Sequence, residues 1–175
     1  MKSLDQKILR KFLNLAGVRL KGDWVLIGGT VLPLLGVDHR ITVDIDLVSL
    51  GKSSQGEMLE IMKIAADLGL PVETINSAGS YFFAKVPHSE TDLVLLHQGK
   101  WARIFRPGAT LFLILKVARM SESDFLDCIE WIKRMKTLKE PIDAKRVALA
   151  IKMSLGDREC SEAKAKRLRA LEKLF

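Results

Sequence analysis

Gly28, Gly29 and Thr30 follow directly on the apolar run Trp24 to Ile27, and Asp44 and Asp46 stand a short way downstream. Paired glycines tolerate positive φ and close approach, so a turn there exposes backbone NH groups. Thr30 is placed to cap a following helix, whose first NH groups and positive end suit a phosphate. Two aspartates spaced by one residue share a face of a strand, leaving Val43, Ile45 and Leu47 for the core. Such hard oxygen ligands suit Mg²⁺, with Mn²⁺ as the alternative ion, and a bound triphosphate supplies the remaining ligands. Taken singly, a Gly-Gly is an ordinary turn and an Asp-x-Asp a solvated strand face. Their joint occurrence is what points to phosphate and metal chemistry.

The segment GGTVLPLLGVDHRITVDIDL, with Gly36, His39-Arg40 and Thr42 between the glycines and the aspartates, resembles the nucleotidyltransferase superfamily of polymerase-β-like enzymes. Within it the pattern is most similar to abortive-infection type nucleotidyltransferases, many of them toxins of bacterial toxin–antitoxin pairs. The resemblance implies an α/β (α+β) nucleotidyltransferase fold, a mixed sheet flanked by helices and followed by a C-terminal helical subdomain. It also implies an enzyme that moves a nucleoside monophosphate from an NTP to an acceptor hydroxyl. Asp44 and Asp46 would hold the metal ions, Gly28, Gly29 and Thr30 would position phosphates, and Arg40 and Thr42 would complete the nucleotide-binding set. Arg40 offers paired NH donors to a triphosphate oxygen. His39 serves equally well as a surface histidine and is left aside.

Two further groups extend the candidate site. Asp92 opens the apolar run TDLVLL, sharing a face with Val94 and Leu96, where a carboxylate is costly to bury unless a cation compensates it. By resemblance it is the candidate third metal ligand, or the base for the acceptor hydroxyl. Lys116 interrupts the run LFLILKVA, and Arg119, Asp124 and Asp127 follow. The family has a lysine followed by spaced acids, which implies that Lys116 contacts the nucleotide phosphates. Asp124 or Asp127 would hold the nucleotide or orient Lys116, with stabilisation of a helix dipole as the plainer alternative.

The elements that must position these groups are legible in outline. Asp5 to Gly17 reads as a helix stopped by glycine, and Ser53 to Leu68 as a second, ended by Gly69 and Pro71. Short strands are expected at Val72 to Ile75, Tyr81 to Val86 and Thr91 to Leu96, separated by Asn76 to Ser80 and Pro87 to Ser89. From Pro107 the periodicity is helical throughout: Ala109 to Met120, Glu122 to Lys136, Asp143 to Ser154 and Arg158 to Leu174. The expected division is 1–106 for the catalytic domain and 107–175 for a basic helical subdomain, with a cleft between the lobes as the place for substrate.

Composition narrows the partners. All of the +7 net charge lies in the last quarter: Lys133 to Phe175 holds 13 Lys and Arg against 6 Asp and Glu, whereas the preceding residues balance 15 against 15. Such a cluster favours a polyanion, and together with the resemblance this points to RNA, a tRNA 3′ end among the candidates. An antitoxin protein is the second expected partner. No apolar run is long enough for a membrane span, and the amphipathic amino terminus does not read as a signal peptide, so a cytoplasmic protein is expected. Cys128, Cys160, His88 and His97 lack metal-ligand spacing. Trp24, Trp101 and Trp131 read better as packing anchors than as base-stacking platforms, although Trp101 stands near Arg103 and Arg106. The rival readings are a non-catalytic nucleic-acid or partner-binding module on the same fold, and nucleotidylation of a protein or small molecule.

Overall fold

The computed structural model describes residues 4–51, 54–76 and 78–175, and the chain forms two compact units, Met1–Pro107 and Gly108–Phe175. The first is α+β. Helix α1 (Gln6–Arg19) starts at Asp5, whose carboxylate accepts from the Ile8 NH at 2.7 Å, and it buries Leu9, Phe12, Leu13 and Ala16. Strand β1 (Gly22–Ile27) is followed by a tight 3₁₀ turn (Gly28–Thr30), the one-turn helix α2 (Val31–Leu34) and strand β2 (Asp46–Ser49). Helix α3 (Gln55–Asp67) opens on a capping box between Ser54 and Glu57. The expected start at Ser53 lies outside the described residues, as does Ser77 of the expected turn. Helix α4 (Gly79–Lys85), strand β3 (Leu93–Gln98) and strand β4 (Ala102–Pro107) complete the unit.

The strand order is β2-β1-β4-β3. β1 pairs antiparallel with β2 and parallel with β4, and β3 pairs antiparallel with β4. Trp24, Val25, Leu26 and Ile27 of β1 are all buried, which is what a continuous apolar run does in an interior strand. Helix α1 packs against β3, β4, α2 and α3, and α4 packs against β2. A mixed four-stranded sheet with helices is consistent with a nucleotidyltransferase-like fold.

Several expected elements differ. Val72–Thr74 is a 3₁₀ turn, and only Ile75 makes a bridge, parallel to Ile45. Tyr81 to Val86 is not a strand: Gly79–Lys85 is helical, and of its aromatics only Phe83 is buried. A short apolar run has no period long enough to separate helix from strand. β3 starts at Leu93 rather than Thr91 and runs on to Gln98. β4 was hidden inside the expected boundary segment because it carries two arginines. Arg103 leaves the sheet to pair with Asp23 on β1, while Arg106 is buried. Gly17 does not stop α1. Its missing side chain lets the turn between β3 and β4 approach, since a Cβ there would sit 2.8 Å from Gly99 Cα and 2.8 Å from His97 Nε2.

The second unit is helical: α5 (Ala109–Arg119), α6 (Glu122–Leu138), α7 (Ala144–Leu155) and α8 (Glu162–Glu172). Ser121, Asp143 and Ser161 cap the last three. Phe112 of α5 stacks on Trp131 of α6 with centroids 4.0 Å apart, and the indole NH donates to the Ala109 carbonyl at 2.9 Å. Two cations of α8 finish α5: Lys164 donates to the Ala118 carbonyl and Arg167 to that of Met120, both at 2.8 Å. Part of the basic tail is thus spent on carbonyls left open at a helix end. Among the described residues no helix is long and apolar enough to cross a membrane.

We expect Gly17→Ala to lower stability by about 1–3 kcal/mol, the usual range for overpacking. The check is a lower urea midpoint at unchanged slope. An unchanged midpoint would mean that His97 and Gly99 yield freely.

Candidate active site

The site begins where β1 ends. Gly28 turns the chain at φ +76°, a value that a side chain makes costly. The Thr30 hydroxyl donates back to the Ile27 carbonyl at 3.1 Å and closes the turn. It makes no cap bond to α2, contrary to expectation, and a one-turn helix has little dipole to offer. Donors for an anion on this turn are therefore backbone NH groups of the turn itself.

Asp46 opens β2 opposite Ile27 in register. Its carboxylate lies in the space that a Cβ on Gly28 would fill. A Cβ on Gly79, the first residue of α4, would lie 3.2 Å from its other oxygen and 2.8 Å from Ile27 Cδ1. The Arg40 guanidinium occupies the space beside Gly29 in the same manner, and a Cβ there would also stand 3.6 Å from Thr42 Oγ1. Gly28, Gly29, Arg40, Thr42 and Asp46 are therefore gathered on one turn, an acid and a base over adjacent glycines. Gly79 falls within the turn expected over Asn76 to Ser80, and its place beside Asp46 has no signal in the sequence beyond its being glycine.

Asp44 precedes the strand proper and is exposed. Ile45 between the two aspartates is fully buried and pinned by two backbone bonds, Ile45 NH to the Thr74 carbonyl at 2.6 Å and Asn76 NH to the Ile45 carbonyl at 3.1 Å. Burial alternates from Asp44 to Leu47 as a strand's two faces require.

Asp92 is elsewhere. It sits in the 3₁₀ turn Glu90–Asp92, ahead of β3, and accepts from the Ser89 NH at 2.9 Å and the Ser89 hydroxyl at 3.2 Å. β3 and β2 are opposite edges of the sheet, about 14 Å apart at the usual strand spacing. The expected place on a strand flanking Asp46 is not realised, because β1 takes that position. Among the described residues no group of three or more His, Cys, Asp or Glu is placed to hold a metal ion.

Lys116, Asp124 and Asp127 come together inside the helical unit, all three buried. The Lys116 ammonium donates to Asp124 at 2.9 Å and to Asp127 at 2.7 Å. Arg119 adds two bonds to Asp124, at 2.6 and 2.7 Å, and the Ser121 hydroxyl a third at 2.7 Å. Burial pushes the Asp124 carboxyl up, but the Arg119 hydrogen bonds, the Lys116 charge and hydrogen bond, and the Ser121 hydroxyl outweigh it and hold the group well below the usual carboxylate range. Burial likewise pushes the adjacent Cys128 thiol up, so it is a core group and not a nucleophile.

Residues 12–75, which include the glycine turn and both aspartates, match the model of a family of nucleotidyltransferases. That family is described as nucleotidyl transferase AbiEii toxin, Type IV TA system, so this segment is similar to an abortive-infection toxin-like nucleotidyltransferase. No curated protein and no solved structure matches the chain.

The Asp124 network sets a pH dependence. With the folded pKa below the unfolded value of about 4, its stabilisation is present above that pH and fades as pH falls through the lowered folded value. Asp124→Asn should cost about 3 kcal/mol at pH 7, as breaking a buried pair does. Urea unfolding should show the gap to the parent protein narrowing on acidification. A gap of equal size at low pH would remove the ionic origin.

Proposed function

We propose that this protein is a divalent-metal-dependent nucleotidyltransferase that joins a nucleoside monophosphate to an acceptor hydroxyl. The observation that carries this is the packing of the Asp46 carboxylate and the Arg40 guanidinium over two adjacent glycines, at the end of a strand matched by a nucleotidyltransferase family. The donors suit a hard cation: two carboxylates, one held against bare backbone at Gly28 and Gly79, with phosphate and water completing the shell as is usual for Mg²⁺. Asp44 and Asp46 are the residues that would hold Mg²⁺ or Mn²⁺, which when bound lowers the pKa of the attacking hydroxyl and neutralises the leaving pyrophosphate.

The chain's own groups then have distinct tasks. Arg40, lodged beside Gly29 with Thr42 next to it, pairs with a phosphate oxygen, and backbone NH groups of the glycine turn supply further donors. The acceptor oxygen bonds to the α-phosphorus as the bond to the bridging oxygen breaks. The hydroxyl proton passes to an exposed carboxylate or to water, and pyrophosphate departs. Asp92, tied into its own turn at the far edge, is outside this set. Lys116, Asp124 and Asp127 are assigned to holding the helical unit together, since each is committed to a buried ion pair.

RNA is the proposed acceptor, in a cytoplasmic toxin held in check by an antitoxin. The support is the basic carboxy-terminal quarter, where Lys145, Lys152, Lys166, Arg169 and Lys173 are exposed on α7 and α8 or at their ends.

Incubation with each labelled NTP, Mg²⁺ and total cell extract should transfer label to RNA, and Asp46→Ala or Asp44→Ala should abolish transfer while circular dichroism stays unchanged. Full transfer by either variant would end the proposal. Arg40→Gln should raise KM for the NTP about tenfold, the worth of a charge-assisted bond, with a smaller effect on kcat.

A further inference from the structure

Trp101 contradicts the packing role that the sequence suggested for it. Trp24 and Trp131 are core residues, 2% and 0% exposed, whereas Trp101 is 57% exposed. Its two expected basic neighbours are occupied: Arg103 is bound to Asp23 and Arg106 is buried. The cation at the indole is Lys100, whose ammonium lies over one face of the ring, 4.8 Å from its centroid. Exposed Lys21 adjoins Gly22, whose NH donates to the Trp101 carbonyl at 3.1 Å.

The ring is carried on fixed backbone. Trp101 NH donates to the Gly17 carbonyl at 2.9 Å, Gly99 NH donates to that of Ala102 at 2.9 Å, and the bare backbones of Gly17 and Gly99 lie against each other. An indole left in water on so tightly held a turn is preorganised for a partner, because little chain entropy remains to be lost on binding.

We propose that Trp101 and Lys100 form a contact site for single-stranded RNA, one base stacking on the indole and the ammonium meeting a phosphate. A stacked base needs one flat apolar face and a nearby cation, and both are present here. A protein partner fits less well. The exposed apolar groups joined through this turn are Trp101 and Val18, and an indole buries about 150–250 Å², far less than the roughly 800 Å² that each side of a stable protein interface contributes. A second copy of this chain brings its own +7 charge. The turn lies at the start of β1 and the glycine turn at its end, about 20 Å apart by strand rise. An RNA strand of that span reaches both, which deepens the proposed function by giving the acceptor a remote anchor on the same unit.

The test exploits the burial of the other two tryptophans, which makes Trp101 the one of the three open to quenchers. A uridine 20-mer, added at low salt without NTP or metal, should quench the fluorescence that iodide also quenches. With fluorescein-labelled 20-mer, Trp101→Ala should weaken binding about tenfold, Trp101→Phe should retain most of it, and Lys100→Ala should reduce the salt slope by about one phosphate. Equal affinity of the alanine variant, binding without quenching, or no binding at low salt each overturns the site. So does quenching that rises with protein concentration in the absence of RNA, which would mark a second copy on the patch. In the parent protein, RNA binding through Trp101 with no label transfer from any NTP would leave this site standing and remove the proposed enzyme.

Discussion

The arrangement at the end of β1 depends on backbone at Gly28 and Gly29 carrying no side chains. An acid from β2 and a guanidinium from the loop before it occupy the volume that two Cβ atoms would take. Both charged groups therefore lie close to the glycine backbone without intervening hydrocarbon. Gly79 gives Asp46 the same freedom on its other side, so the carboxylate lies between two stretches of bare glycine backbone. Positive φ at Gly28 is the conformational cost of the turn, and the turn is what ends the strand at the height where Asp46 begins its own.

The helical unit solves a different electrostatic problem. It buries a lysine and two aspartates, which is tolerable because each carboxylate receives the ammonium and Asp124 also receives Arg119 and the Ser121 cap. The cap and the ion pair reinforce one another, since Asp124 is both the third residue of its helix and the floor of the network. The same unit carries the excess positive charge, yet Lys164 and Arg167 are consumed in closing α5. A count of basic residues overstates the charge offered to a polyanion, and the exposed subset is the relevant quantity.

The residue match to nucleotidyltransferases covers residues 12–75, and the geometry sharpens what that match means for this chain. Asp44 and Asp46 flank a buried, doubly pinned Ile45, so their placement follows from one hydrophobic anchor. Asp92 is separated from them by two intervening strands. The proposed chemistry accordingly rests on two protein carboxylates and substrate phosphates.

Local signals in the sequence determined the glycine turn, the alternation around Asp44 to Leu47, the capped amphipathic helices and the uneven charge. Those features depend on spacing and on neighbours within a few residues, and their periods are long enough to read. Tertiary structure alone decided that an arginine-bearing segment is an interior strand, that Tyr81 to Lys85 is helix, that Gly17 packs rather than terminates, and that Trp101 faces water. Each of these turns on a partner far away in sequence. Asp23 accepts Arg103, Gly99 meets Gly17, and β1 stands where a third carboxylate strand was expected. Spacing fixes which side chains share a face, but which faces then meet is a matter of packing between segments, and that information is not local.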